Sequence, residues 1–213
     1  SGSWKPVGPL PNTPIRTQLV QRLEALEAMG QARKSLGTWY LSGGLRGALT
    51  AMQRATDRQR ALRDGQLAVS DSRLPLVVTP IARLRGVQGR ILGHGQEEGN
   101  GRSYMLLEST AGKVKYIYHN SDLAELRRQH GLKPGDYAAF NVRWQSDRGR
   151  WRAVLEVEQL GDAEGLLKDP RYLRQAAPVT EGTPAYGGWL GRRNAAVREF
   201  QQDHRKQLQR SRT

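Results

Sequence analysis

Ser121-Asp-Leu-Ala-Glu-Leu-Arg-Arg-Gln-His130 reads as a helix, and it interrupts a stretch whose other segments read as strands. Before it come Arg85-Gly-Val-Gln-Gly-Arg-Ile-Leu92, Ser103-Tyr-Met-Leu-Leu-Glu108 and Val114 to Tyr118; after it come Tyr137 to Trp144 and Trp151 to Leu160. Five short strands broken by Gly-rich turns around one helical insert predict a small β-barrel of OB or SH3 type over residues 81–161. Lys133-Pro-Gly-Asp136 marks a tight turn, because Pro presets one dihedral and Gly permits the next. His94 to Gly101 is so rich in Gly that an unordered loop is expected.

Period-two alternation assigns the faces of these strands. In the third, Val114, Tyr116 and Tyr118 fall on one side and Lys113, Lys115 and Ile117 on the other, and a Lys pair beside a Tyr pair suits backbone and base contacts. In the fourth, Ala138, Phe140, Val142 and Trp144 are expected inward. Arg143, Arg148, Arg150 and Arg152 crowd the last hairpin next to Trp144 and Trp151. Rings interleaved with guanidinium groups suit single-stranded nucleic acid, with bases stacking on the rings and Arg taking the phosphates. The alternative is that the two Trp residues close the core.

Working toward the N-terminus, Gly65 to Pro80 carries Pro75 and Pro80 and is expected to connect two domains. Residues 43–64 predict a second long helix with Arg46, Arg54, Arg58, Arg60 and Arg63 on it. The first helix is expected over 14–29, with Thr13 as N-cap, Pro14 at the first position, Ile15, Leu19, Leu23 and Leu26 at helical spacing, and Gly30 as its stop. Gln31 to Leu36 and Thr38 to Leu41 then read as two strands joined at Gly37. An amphipathic helix running into a basic hairpin resembles the last helix and wing of a winged helix-turn-helix. On that reading residues 10–66 form a partial winged-helix module, Arg16, Gln18 and Arg22 face DNA, and Arg33 and Lys34 reach a flanking groove or phosphate. The alternative is a protein-docking module, since Glu24 and Glu27 would repel phosphates.

The fold class expected is therefore α+β, in three parts: residues 10–66, 81–161, and a basic helix or tail over 162–213. With 213 residues, 37% hydrophobic and 25% charged, the chain can fold into one large or two modest domains. A formal charge of +14 and a pI near 10.7 point to a polyanionic partner. The excess is spread along the chain: 11 basic against 5 acidic residues up to position 80, 13 against 9 over 81–161, and 10 against 6 thereafter. A distributed excess fits a protein lying along nucleic acid with several elements; the alternative is a basic surface that only confers solubility.

Cys is absent, which excludes disulfides, thiolate metal sites and a Cys nucleophile. No apolar run approaches membrane-spanning length, so no membrane insertion is expected, and the absence of Cys suits a cytoplasmic location. Ser1-Gly2-Ser3 does not read as a native start, so a piece of something longer is expected. Phosphate-cradling loops, nucleophile elbows and dinucleotide fingerprints are missing, and no cofactor is expected.

Pro14-Ile-Arg-Thr-Gln-Leu-Val-Gln-Arg-Leu-Glu-Ala-Leu-Glu-Ala-Met-Gly30 followed by Gly37-Thr-Trp-Tyr-Leu41 resembles the accessory region downstream of the nuclease domain in plasmid and integrative-element conjugative relaxases, the mobilisation nucleases. Gly86 to Ile91, Tyr104 to Gly112 and Gly135-Asp136 continue the resemblance in the same order, over roughly residues 10–160. The resemblance implies a DNA-binding module that contacts the transfer origin or the transferred strand during plasmid mobilisation. It also implies, for the basic C-terminal tail, recognition by the type IV secretion coupling machinery or by relaxosome proteins, which is the docking alternative. It does not bring the nuclease chemistry. His94, His119, His130 and His204 form no His-x-His pair, Tyr104, Tyr116 and Tyr118 read as strand residues rather than nucleophiles, and no catalytic residue or metal site is assigned.

The C-terminal part closes the reading. Asp162 to Leu173 suggests a short helix against the barrel, Ala176 to Gly191 an irregular stretch, and Arg192 to Arg212 a basic helix or tail with seven cations and two acids.

Overall fold

A computed structural model of the chain describes residues 3–11, 15–98, 101–147, 149–176 and 188–210. It is α+β, and it divides into a first unit of residues 1–57 and a second of 58–213. The Thr13-Pro14 helix opening and Arg148 lie outside the described residues.

In the first unit, strand β1 (Trp4–Pro6), helix α1 (Ile15–Ala28), strands β2 (Ala32–Ser35) and β3 (Thr38–Ser42) and the start of α2 (Leu45–Arg63) follow one another. The Gly30 stop works as expected. Its positive φ of 68° lets the Gly30 N–H donate to Glu27 and the Gln31 N–H to Leu26, a closure that turns the chain directly into β2. The sheet order is β1-β3-β2, all antiparallel, and α1 lays Leu23 and Leu26 on the face carrying Ala32, Trp39 and Leu41. One helix on a three-stranded sheet is not a winged helix. β1 adds a third strand at the free edge of β3, and among the described residues no helix precedes α1 to complete a helix-turn-helix.

β2 and β3 join through the two residues Leu36 and Gly37, both at positive φ, 48° and 77°. That is the two-residue hairpin turn whose twist matches the strands, and its preferred sequence is Asn-Gly. Leu36 takes the Asn position and is fully exposed.

The second unit is built on a six-stranded sheet. Its strands are β4 (Leu76–Val78), β5 (Val87–Gln96), β6 (Ser103–Ser109), β7 (Lys113–Tyr118), β8 (Asp136–Asp147) and β9 (Arg150–Asp162), in the order β4-β7-β6-β5-β8-β9. All five expected strands exist, yet no closed barrel forms. Closure would need β7 to pair with β9, and the free edge of β7 is already taken by β4, which runs parallel to it with Leu76 opposite Val114 and Val78 opposite Tyr116. The segment expected to connect two domains thus supplies an edge strand and core residues of this unit.

Both faces of the sheet are covered. On one, helix α3 (Ser121–His130) presses Leu123 and Leu126, with Leu132 after it, onto Ile91, Met105, Leu107, Ile117, Phe140 and Leu155. Asn120 caps α3 through its side chain, accepting the Leu123 N–H at 2.9 Å, and Gly131 ends it in the left-handed region. On the other face Leu92, Leu106, Val114 and Tyr116 meet Ala61 and Leu62 of α2, together with Leu67 and Leu74. β5 and β6 approach so closely that a Cβ on Gly89 would lie 2.3 Å from the Glu108 carbonyl oxygen, which explains Gly at that position.

Beyond β9 come the short helices α4 (Ala163–Leu166) and α5 (Pro170–Gln175), then α6 (Gly188–Arg210). The expected tail is a helix, and its first half is core: Trp189, Leu190, Arg193, Asn194 and Val197 are buried. Trp189 Nε1 donates to the Ala163 carbonyl at 3.0 Å, and the Leu190 N–H donates to Ser70 Oγ at 3.1 Å. Of the stretch expected to be irregular, 177–187 lie outside the described residues.

Candidate nucleic-acid interface

β5 pairs with β8 only from Tyr137 to Phe140, whereas the β8–β9 pairing continues to the hairpin end. From Asn141 outward the two strands therefore run as a two-stranded ribbon. The register sets its faces. Trp144 opposite Ala153 and Ser146 opposite Trp151 continue the apolar side that begins with Phe140, Val142 and Leu155. Arg143 opposite Val154 and Gln145 opposite Arg152 lie on the other side, and Arg150, two residues before Arg152, shares it.

Trp144 was expected inward, and it is 56% exposed; Trp151 is 70% exposed. The period-two assignment placed Trp144 on the correct face, but the core beneath that face ends at Val142. Neither ring closes the core. Arg143, Arg150 and Arg152 are exposed as well, with Arg143 Nε 3.2 Å from Glu156 Oε1. Two large exposed rings beside three guanidinium groups on a protruding ribbon form the most distinctive surface among the described residues.

The other expected contacts scatter. Lys113 is exposed and Lys115 half-buried on β7, three strands away from β8 in the sheet order, so they make no patch with the ribbon. Burial, and then the charge of Lys113, lowers the pKa of Lys115. The Tyr surface proposed beside them does not exist: Tyr116 is fully buried and stacks on Tyr104 at 4.6 Å. In the first unit, Arg16 and Lys34 border one cavity of about 510 Å³, with Val20 and Trp39 in its wall. Arg22 is exposed but lies six residues from Arg16, about 120° around the helix, so α1 offers no single basic face. Arg33 is exposed on the outer side of the sheet, its guanidinium carbon 4.7 Å from the Trp4 ring centre and 5.4 Å from that of Tyr40.

Compared with known protein families, curated proteins and solved structures, the chain matches none.

Two polar clusters escaped the sequence reading. The loop expected to be unordered continues β5 through Gln96 and then buries Glu97, which accepts hydrogen bonds from Tyr116 Oη at 3.0 Å and Tyr118 Oη at 2.7 Å. Burial first, and then the carboxylate, pushes both phenols to higher pKa, so they act as fixed donors. Tyr104, Tyr116 and Tyr118 all sit within this packed cluster. A carboxylate in the middle of a Gly-rich run, with Tyr residues at i and i+2 in the strand it meets, is the only trace the cluster leaves in sequence.

His94 and His119 come together with ring centres 5.7 Å apart, edge to face. Burial pulls the His94 pKa down to about 4, helped by the charges of Arg127 and His119; a marginal backbone contact at Leu132 offsets this only in part. Burial and Arg127 lower His119 as well. Among the described residues no third His, Asp or Glu joins them as a metal-ligand group. Both rings are held neutral when folded, whereas the unfolded chain takes up protons at the ordinary value of 6.5. Stability contributed by this pair is thus complete above about pH 6.5 and is lost as pH falls toward 4. Urea midpoints measured across that range are expected to decline steadily for the wild type and less steeply for His94→Phe.

Proposed function

We propose that the chain is a non-catalytic DNA-binding module that holds single-stranded DNA on the β8–β9 ribbon, in the setting of a conjugative relaxase during plasmid mobilisation. The observation that carries the reading is the exposure of Trp144 and Trp151 on the ribbon, with Arg143, Arg150 and Arg152 behind them. Exposed strand Trp residues are costly to keep in water unless a partner covers them. Diagonal positions of an antiparallel pair are about 7–8 Å apart, a gap that admits one flat base between two rings. The guanidinium groups on the opposite face meet the backbone as it wraps the ribbon edge. The relaxase setting rests on the sequence resemblance over residues 10–160 alone.

Fluorescence anisotropy with a labelled oligonucleotide across a salt series tests this. Submicromolar affinity for the single strand is expected, falling with a log–log slope of about −0.7 per phosphate contacted. A single-strand affinity independent of salt, or one left unchanged when Trp144 and Trp151 are both replaced by Ala, defeats the ribbon assignment.

A second reading has its own observation. A groove of about 480 Å³ between α5 and α6 is lined by Leu167, Leu173, Phe200 and Arg174, and it could seat a segment of the secretion coupling machinery. No DNA binding even at low salt would favour that docking role.

A further inference from the structure

Leu36 contradicts its own position. A non-glycine residue in the left-handed region is uncommon, Asn and Asp being the ones that tolerate it, and an apolar side chain at a hairpin tip gains nothing from water. Here Leu stands at φ 48° with its side chain fully exposed, immediately before Gly37. The fold would be better served by Asn at this point, so the side chain is explained by what it meets outside the chain.

Its surroundings say what that is. Arg33 and Lys34 precede it on β2, and alternation sends them to opposite faces of the hairpin. Each is held in place by aromatic rings: Arg33 between Trp4 and Tyr40, Lys34 with its Nζ 5.6 Å from the Trp39 ring centre. Between Glu27 and Asp57 the chain carries no acidic residue, and the Glu27 carboxylate that reaches the hairpin accepts the Lys34 N–H at 3.2 Å. The tip has an apolar point flanked by two cations, Arg33 on the outer face of the sheet and Lys34 on the face that packs α1, where it borders a cavity with Arg16. An apolar point between two cations matches a groove walled by two rows of phosphates. The minor groove, about 6 Å wide, is such a groove, and proteins that enter it push Leu, Ile, Met or Phe between base steps.

We infer that the β2–β3 hairpin is a duplex-binding wedge: Leu36 enters the minor groove and unstacks a base step, while Arg33 and Lys34 each take the phosphates of one strand. This rests on the nucleic-acid reading above but uses a different unit, different residues and a different form of DNA.

The test uses the full chain, a 20-base-pair duplex labelled at both ends for energy transfer, and a matched single strand. Wild type is expected to bind the duplex and shorten its end-to-end distance, as kinks toward the upper end of the range of about 20–90° do. Leu36→Asn is expected to raise the melting temperature by a few degrees, to weaken duplex binding about tenfold and to abolish the shortening, with single-strand affinity unchanged. A change that stabilises the protein while removing its action on DNA separates a wedge from a structural residue. Leu36→Asn binding and bending the duplex like wild type overturns the wedge and leaves the ribbon reading standing. If wild type binds neither DNA form at low salt, both fall together.

Discussion

Trp144→Ala combined with Trp151→Ala is expected to lower single-strand affinity by a factor of about 30 or more, since each stacked base is worth about 1–3 kcal/mol. The melting temperature should stay within a degree or two, because rings 56% and 70% exposed contribute little to the core. Trp144→Phe with Trp151→Phe keeps a π-face at each position and should recover most of the affinity. Arg150→Ala with Arg152→Ala acts differently: binding weakens evenly across base compositions, and the salt slope becomes shallower. An alanine pair at the Trp positions that binds like wild type would falsify the stacking assignment.

Glu108→Ala is expected to cost about 3–5 kcal/mol, a large share of the stability of a domain this size. The carboxylate is completely buried. It accepts the Ser70 N–H at 2.7 Å and both Nε and Nη2 of Arg90, at 3.2 and 2.9 Å. Arg90 also donates to the Ala68 carbonyl, and its guanidinium carbon lies 5.6 Å from the Trp189 ring centre. One acid thus ties strand β6 to β5 and to the segment before β4, and its Arg partner reaches α6. Removing it leaves a guanidinium with 12% side-chain exposure uncompensated. Replacing both partners, Arg90→Met with Glu108→Leu, removes the stranded charge and should recover a good part of the loss. Urea unfolding reads both variants; a loss under about 1 kcal/mol for Glu108→Ala would mean that the pair contributes little.

Sequence pattern carried far in some places and stopped short in others, for identifiable reasons. α1, α3 and the five strands from β5 to β9 were legible because period and punctuation agreed: Gly30, Asn120, Gly131 and Pro134-Gly135 sit where the chain turns. β1 and β4 were not. Each is only three residues long, carries a Pro within it or immediately before it, and is a strand solely because a neighbour offers an unpaired edge. Missing β4 is what turned an open sheet into an expected barrel. The ribbon was half legible: alternation gave the side of each residue, but where the core ends beneath Val142 is a tertiary fact. Arg148, named with that cluster, lies outside the described residues. Leu36 reads as the last residue of a strand, since Gly37 alone signals the turn, and only the backbone places it at positive φ within the turn.

The occupation of the β7 edge by Leu76–Val78 has a mechanical result. In a closed cylinder every strand is cut to the height of the wall, since each must find a partner on both sides. β9 has no second neighbour, so nothing limits its length, and β8 and β9 run 12 and 13 residues. The part beyond Val142 is a cantilever roughly 15 Å long at about 3.3 Å per residue. Three residues of β4, packed far from the tip, thereby set how far the two Trp rings stand from the body that carries them.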